Sequence, residues 1–222
     1  MSTDLHSISG RERRRAERRA NIISTAGRRF LQHGYYATSM SAIAAEMGGS
    51  KGTLWSYFPS KEDLFAACVE SAIVSFRQDL VAILDPNQGI REALERFTLC
   101  YIEGLCRQDA IALQRLIISE GAQFPELSEI FYRQGPKATV GLLEGFIRDQ
   151  MVSGNLRVDD AHVAATMVVN LCVGGLRQKV LLGVSPFSSA EAARESCIIA
   201  ELFLRCYRTA HDDWSALALP KH

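Results

Sequence analysis

Long apolar runs are missing from this sequence. No stretch of about eighteen apolar residues occurs in the 222 residues, so no membrane-spanning helix is predicted. The first residues are polar and lack the apolar core of a signal peptide. We therefore expect a soluble, cytoplasmic protein without a membrane partner.

Motifs for metal binding and catalysis are missing as well. The six cysteines form no CxxC pair, the five histidines are scattered, and we predict no metal and no cofactor. The run GGSKG (residues 48–52) fits the GxSxG of a nucleophile elbow, but that motif needs a preceding strand, and a helical pattern precedes it here. The same run does not fit a phosphate-binding loop, which requires Gly-Lys followed by Ser or Thr. We predict that the chain is not an enzyme.

The cysteines lie within helical patterns, which predicts buried apolar side chains in a reducing compartment. The alternative for one of them is a redox sensor. Cys106 beside Arg107 fits that alternative best, because a reactive thiol needs a positive neighbour.

An overall excess of positive charge is also lacking, since 25 Lys and Arg balance 25 Asp and Glu. The distribution is uneven: up to Phe65 there are ten Lys or Arg against six Asp or Glu, and fifteen against nineteen follow. A basic front favours a DNA-binding domain attached to a domain with another task. The 47% of apolar residues is enough for a genuine core.

The stretch from Thr38 to Phe65 has the pattern of two short helices joined by a tight turn. Apolar residues recur at helical spacing before Gly48-Gly49, and either Thr38 or Ser39 can cap that first helix. Ser50 opens a second helix whose Leu54 faces inward and whose polar residues cover the other sides. This pattern predicts a helix-turn-helix, with the second helix in the major groove of DNA.

Four runs share residue types and offsets with one family: GYYATSM (34–40), IA (43–44), SKGTLWSYF (50–58) and SKEDLF (60–65). Together they resemble the N-terminal domain of tetracycline-repressor (TetR) family regulators, over roughly the first third of the chain. Gly49 and Trp55 depart from the family, which more often has a small apolar residue and Tyr there. The resemblance implies that Tyr57 and Lys61 clamp the DNA backbone. The alternative for Tyr57 is a partly buried core aromatic.

Contact with DNA is predicted for one set of residues around the second helix. An arginine-rich segment between Arg11 and Arg19 either reaches a phosphate or the minor groove, or forms a solvated helix face. The predicted DNA-binding residues are Thr38, Ser39, Ser50, Lys51, Gly52, Thr53, Trp55, Ser56, Tyr57 and Lys61.

The remainder of the chain predicts a helical bundle, so the fold class is all-α. Gly135-Pro136 interrupts one helix, and the last two helices span roughly 160–182 and 189–207. The predicted domains are a flexible tail (1–10), the helix-turn-helix domain (11–58), a ligand-binding and dimerisation domain (59–208) and a C-terminal tail (209–222).

The run RLIISEGAQFPELSEIFYRQGP (115–136) resembles the C-terminal domain of a broad, efflux-associated TetR subgroup. That resemblance implies a ligand cavity and a homodimer through the last two long helices. The alternative is that these helices only close the core of one chain. Arg115 could meet an anionic ligand, pair with Glu120 or lie in water. The predicted ligand-binding residues, which could also be core, are Phe97, Tyr101, Arg115, Phe131, Tyr132 and Phe146.

These patterns predict a ligand-responsive transcriptional regulator. We expect a homodimeric repressor that binds palindromic operator DNA and releases it when an unknown small-molecule effector occupies the second domain. The alternative is a dimeric helical adaptor of the same shape that binds a protein partner.

Overall fold

The computed structural model describes residues 10–85 and 88–209, and every regular element in these ranges is helical, which confirms the all-α fold. The predicted tails lie outside the described residues apart from Gly10 and Thr209. None of the described helices is long and apolar enough to cross a membrane. The helices are α1 (Gly10–His33), α2 (Met40–Glu46), α3 (Lys51–Tyr57), α4 (Lys61–Ile83), α5 (Ile90–Cys106), α6 (Gln108–Glu120), α7 (Pro125–Gln134), α8 (Pro136–Val152), α9 (Ala161–Gly174), α10 (Leu176–Leu182) and α11 (Ser189–Tyr207).

The chain divides into two compact units. The first comprises the residues up to Ser71 together with Leu116–Ile130, and the second comprises Ala72–Arg115 and the residues from Phe131 onward. The first unit is therefore larger than the predicted DNA-binding domain (11–58). It also contains the start of α4, the end of α6 and the start of α7.

An aromatic cluster forms the centre of the first unit. The rings of Phe30, Tyr35 and Phe65 are all at most 2% exposed, and their centroids lie 5.4 to 5.5 Å apart. Phe65 packs edge-to-face on Phe30 and Tyr35, which stack on each other, and both arrangements add to the free energy gained from burial. Leu54 of α3 is buried in the same unit, so the second helix of the motif is fixed by its apolar side.

Serine caps begin three successive helices of this unit. The hydroxyls of Ser39 and Ser50 each accept the backbone N–H three residues on, at 3.1 Å. Ser60 accepts the N–H of Asp63 at 2.9 Å and donates its hydroxyl to the Asp63 carboxylate at 2.8 Å. Gly34 follows α1 with a φ of 85°, as expected of a glycine that ends a helix.

The second unit is a bundle built on α5, α8, α9 and α11, which supply most of its buried side chains. Phe76, Tyr101 and Phe97 form a stacked row with centroids 6.0 and 6.1 Å apart. Gly104 is needed beside this row, because a Cβ there would collide with the Phe76 ring. The predicted break at Gly135-Pro136 separates α7 from α8.

The predicted helix over 160–182 is in fact two helices. Helix α9 ends at Gly174 and α10 begins at Leu176. A Cβ on Gly175 would collide with the carboxylate of Glu195, whose Oε1 accepts the Leu176 N–H at 2.7 Å. A partner on α11 therefore holds the break open.

The apolar surface predicted for subunit pairing is divided between core and exterior. Some of its residues fill the core of their own unit and others are exposed. The buried members are Val168, Cys172, Ile199 and Phe203, the half-buried members are Gly175 and Ile198, and the exposed members are Leu171, Gly174, Leu182 and Leu202.

Candidate nucleic-acid interface

Helix α3 presents most of the predicted DNA-binding side chains to solvent. Leu54 is buried and Phe58 follows it into the core, so the opposite side of this helix is free. Trp55 is 41% exposed on this free side. The exposed residues of this face are Ser50, Lys51, Gly52, Thr53, Trp55 and Ser56.

Hydroxyl groups at the start of α3 are held in a local network. The Ser50 and Thr53 hydroxyl oxygens are 2.9 Å apart, and Ser56 donates its hydroxyl to the Thr53 carbonyl at 2.7 Å. Ordered hydroxyls lose less rotamer freedom when a phosphate or base binds. This arrangement suits contact with DNA at the beginning of the helix.

Thr38 does not belong to the exposed face. Its side chain is fully buried, and its hydroxyl donates to the Gly34 carbonyl at 2.7 Å. The prediction that Thr38 contacts DNA is therefore wrong at the level of its side chain. Ser39, one residue on, is the exposed N-cap of α2.

Arginines of α1 lie against the turn and the second helix of the motif. The Arg15 guanidinium is 5.9 Å from the centre of the half-buried Tyr57 ring, and Arg19 is 5.1 Å from that of Phe58. A Cβ on Gly49 would lie 2.8 Å from Arg18 Nη2, so the unusual glycine of the turn leaves room for this arginine. The arginine-rich segment is thus part of the basic face formed around α3.

Lys61 is half-buried at the start of α4. Its ammonium lies 4.0 Å above the Tyr35 ring, and burial lowers the pKa of this lysine. Tyr35 donates its hydroxyl to Glu62 at 3.0 Å, and its pKa is raised, first by burial and then by that carboxylate. Lys61 therefore has a defined position, as a backbone clamp requires.

Two carboxylates that the sequence analysis missed fix the motif from outside α3. Glu46 pairs with Arg28 at 2.7 Å and with Arg29 at 2.6 Å, which ties α2 to α1. Glu120 of α6 accepts the backbone N–H groups of Tyr35 and Tyr36, at 3.1 and 2.7 Å. No local pattern could reveal the contact of Glu120, because it lies 85 positions after Tyr35 and 84 after Tyr36.

The six predicted ligand-binding residues differ in exposure. Arg115 is exposed to solvent, as one of the alternatives expected, and its Nε also donates to the Leu181 carbonyl at 3.0 Å. Tyr132 is 60% exposed, and Phe131 is half-buried. The remaining three, Phe97, Tyr101 and Phe146, belong to the buried core of the second unit.

A surface pocket of about 230 Å³ lies elsewhere in the second unit. It opens where α8 ends and α9 begins, and its lining includes Glu144, Arg148 and His162. His162 Nδ1 is 2.9 Å from Glu144 Oε2, and Arg148 also contacts that glutamate. None of the six predicted ligand residues lines this pocket.

The cysteines contradict the idea of a sensor at Cys106. This thiol is buried, and burial raises its pKa to about 11, so it is not activated by Arg107. Arg107 pairs with Asp109 at 2.9 Å instead. Cys197 and Cys206 are exposed, although the helical pattern predicted buried cysteines.

A capped helix-turn-helix with an exposed polar second helix and arginines beside it defines a DNA-binding regulator. Two family models match the chain. One, for bacterial regulatory proteins of the tetR family, matches residues 22–68, and the other, for the C-terminal domain of AefR-like transcriptional repressors, matches residues 92–209. The chain belongs to the TetR family of bacterial transcriptional regulators.

Individual relatives agree with this assignment. The solved structure of the flavonoid-responsive regulator FrrA is 33% identical, with a TM-score of 0.79 over 88% of this chain and 99% of that one. A TetR-family transcriptional regulator from Mesorhizobium loti MAFF303099 is 25% identical, with a TM-score of 0.78 over 88% of this chain and 99% of that one. The transcriptional regulator HbdR from Aromatoleum sp. (strain CIB) is 24% identical over 82% of this chain and 79% of its own length.

Proposed function

We propose that two copies of this chain bind a palindromic operator and repress transcription until a small molecule binds the second unit. The observation that carries the DNA-binding half is the exposed polar face of α3 between two buried apolar anchors, Leu54 and Phe58. Lys51 and Thr53 contact bases or phosphates near the start of this helix. Ser39, Tyr57 and Lys61 hold the DNA backbone.

The proposed homodimer forms through α9 and α11. Leu171 and Leu202 are each 38% exposed on these helices, and Val163 of α9 is 56% exposed. Gly174, also exposed, permits a close approach of two helices. A twofold dimer buries the same patch twice and presents two α3 helices about 34–36 Å apart, one turn of DNA.

The proposed effector is a small molecule with an aromatic or otherwise apolar body. FrrA, which is described as flavonoid-responsive, is similar over most of both chains, and this supports the assignment. The row of Phe76, Tyr101 and Phe97 supplies aromatic rings of the kind that such molecules contact, and because Phe97 and Tyr101 are buried, the effector reaches them only when this core opens. The effector releases DNA only if it binds the low-affinity state of the dimer more tightly than the DNA-bound state.

Helices α4 and α6 support a coupling between the two functions. Each is one continuous helix that contributes residues to both units. In α6, Arg115 is hydrogen-bonded within the second unit, and Glu120 holds the Tyr35 and Tyr36 amides within the first. A displacement of either helix in the second unit is therefore carried along its own backbone.

Fluorescence anisotropy with the intergenic DNA upstream of the coding sequence tests the DNA-binding proposal. Lys51→Ala should weaken binding and lower the salt slope of log K by roughly 0.9 for each phosphate that the variant no longer neutralises. Lys137→Ala is the matched control, because Lys137 is an exposed lysine of the second unit and its removal changes the net charge equally. Equal slopes for the two variants would show that Lys51 does not contact a phosphate. The adaptor alternative would be favoured if the wild-type protein did not bind the upstream DNA and bound a protein partner instead.

A further inference from the structure

Among the described residues, Arg115 and Arg177 of the second unit both bind neutral groups, but Arg115 is exposed whereas Arg177 is not. Arg177 of α10 is half-buried, and its Nε donates to Gln114 Oε1 at 2.8 Å. Its Nη2 donates to the same oxygen, and Nη1 reaches only Gln178 Oε1, at 3.5 Å. Within residues 10–85 and 88–209, no carboxylate forms an ion pair with this guanidinium. The charge of Arg177 is therefore met by neutral amides.

Gln114 is built to hold that arginine in place. It is 4% exposed, and its Nε2 donates to the carbonyls of Leu105 and Ala110, at 2.9 and 3.0 Å. Both amide hydrogens are thereby used, so the amide orientation is fixed and its oxygen faces the guanidinium. A neutral acceptor positions Arg177 without cancelling its charge.

Glu201, another charged residue of this unit, has partners of opposite charge. The carboxylate of Glu201 is 7% exposed and has two cationic partners, Arg91 at 2.7 Å and Arg205 at 2.9 Å. Burial without a counter-charge is costly, and burial lowers the pKa of Arg177. A bound anion would relieve this cost, because a guanidinium holds carboxylates and related anions through paired N–H donors.

Aromatic side chains accompany this uncompensated charge. Tyr101, the middle ring of the row with Phe76 and Phe97, is 3% exposed and lies one helical turn before Leu105 on α5, whose carbonyl Gln114 contacts. Helix α10, which carries Arg177, packs against α5. Its pKa is raised, first by burial. A cation beside buried aromatic rings matches a molecule that has an apolar ring system and one negative group.

We propose that Arg177, held by Gln114, is the anion-binding residue of the effector site, and that the effector is a small aromatic molecule carrying a carboxylate or an ionised phenol. This inference rests on the proposed function, since it specifies the effector of that same unit. It also replaces Arg115, whose guanidinium is bound to main-chain carbonyls, as the residue that meets an anion.

Calorimetric titration of the full chain with matched acid and amide probes tests the proposal. The probes are 2-naphthoate with 2-naphthamide, and 4-hydroxycinnamate with its amide, at neutral pH. We expect at least one acid to bind roughly tenfold or more tightly than its amide, as expected for a charge-assisted contact. Arg177→Gln should abolish the preference, and Arg177→Lys, which keeps the charge but not the paired donors, should reduce it.

Lys179→Met is the matched control on the same helix. It removes one cation, but Lys179 lies on the surface and pairs with Glu191, so the acid preference should be unchanged. Equal binding of acid and amide, no binding of either pair, or an unchanged preference in Arg177→Gln would overturn the proposal. If Arg177→Gln does not fold, an unchanged preference in Arg177→Lys decides against it.

Anisotropy with the upstream DNA separates this inference from the proposed function. An Arg177-dependent acid preference in a protein that does not bind DNA would refute the regulator and keep the anion site. Intact DNA binding without any acid preference would refute the anion site and keep the regulator.

Discussion

Removal of the Glu120 carboxylate should destabilise the DNA-binding unit although Glu120 is far from α3 in the sequence. The carboxylate accepts the N–H groups of Tyr35 and Tyr36 at 3.1 and 2.7 Å, in the loop that joins α1 to α2. In Glu120→Ala, water can replace the contact with the exposed Tyr36 amide but replaces that of Tyr35 less well. Charge-assisted hydrogen bonds contribute roughly 1.5–3 kcal/mol when buried, so we expect a destabilisation of about 2 kcal/mol for this mixed pair.

Thermal unfolding followed by far-UV circular dichroism measures the effect. A destabilisation of about 2 kcal/mol corresponds to a decrease in Tm of roughly 4–8 °C for a chain of this size. Glu120→Gln should show more than half of this decrease, because its NH₂ group cannot accept one of the two backbone hydrogens. Glu129→Ala is the control, an exposed glutamate on α7 of the same unit. If Glu120→Ala and Glu129→Ala unfold at the same temperature, the carboxylate does not hold the loop.

Two further substitutions have expected outcomes. Gly34→Ala should lower the free energy of unfolding by about 1–3 kcal/mol in urea denaturation, because φ is +85° and the new Cβ would also collide with Glu120. Gly48→Ala should lower it by only about 1 kcal/mol, because φ is +61° but the space around the new Cβ is open. Equal losses in the two variants would show that the collision with Glu120 does not contribute. In Glu201→Gln the acid dependence of stability should flatten. Burial disfavours the ionised form of Glu201, but its two arginine partners outweigh burial and hold the pKa of this carboxyl below 4.5. The ionised Glu201 therefore stabilises the fold above pH 4.5, and this contribution is lost as the pH falls through the lowered pKa. Urea midpoints at pH 7 and pH 4 measure this, and parallel acid limbs for the two proteins would contradict it.

The elements that the sequence predicted correctly depend on neighbours within a few residues. Ser50, predicted to open the second helix of the motif, caps α3 because a cap is decided by residues within one turn of it. Residue type alone does not decide which of two neighbouring residues caps a helix. Thr38 and Ser39 are both capping residues by type, and the fold decides that Ser39 caps and Thr38 turns inward to the Gly34 carbonyl.

The predicted ligand residues are limited by sequence for a different reason. A helical stripe shows that Phe97 and Tyr101 face inward, but it cannot distinguish a core from a cavity wall. The partners of arginines are even less accessible to sequence, since Arg115 donates to a carbonyl 66 positions away and Arg177 to an amide 63 positions away. The sequence alone does not show that Arg115 is exposed and that Arg177 is half-buried against Gln114.

The break between α9 and α10 connects these failures to the proposed effector site. An apolar run favours a continuous helix, and Gly174-Gly175 alone signals only a weak point in it. The break is decided by Glu195 of α11, which occupies the space of a side chain at position 175 and accepts the first free N–H of α10. Because α10 starts anew at Leu176, its direction is not dictated by α9, and this freedom lets Arg177 meet Gln114. The charge that we assign to effector binding is therefore positioned by a tertiary contact that no local pattern contains.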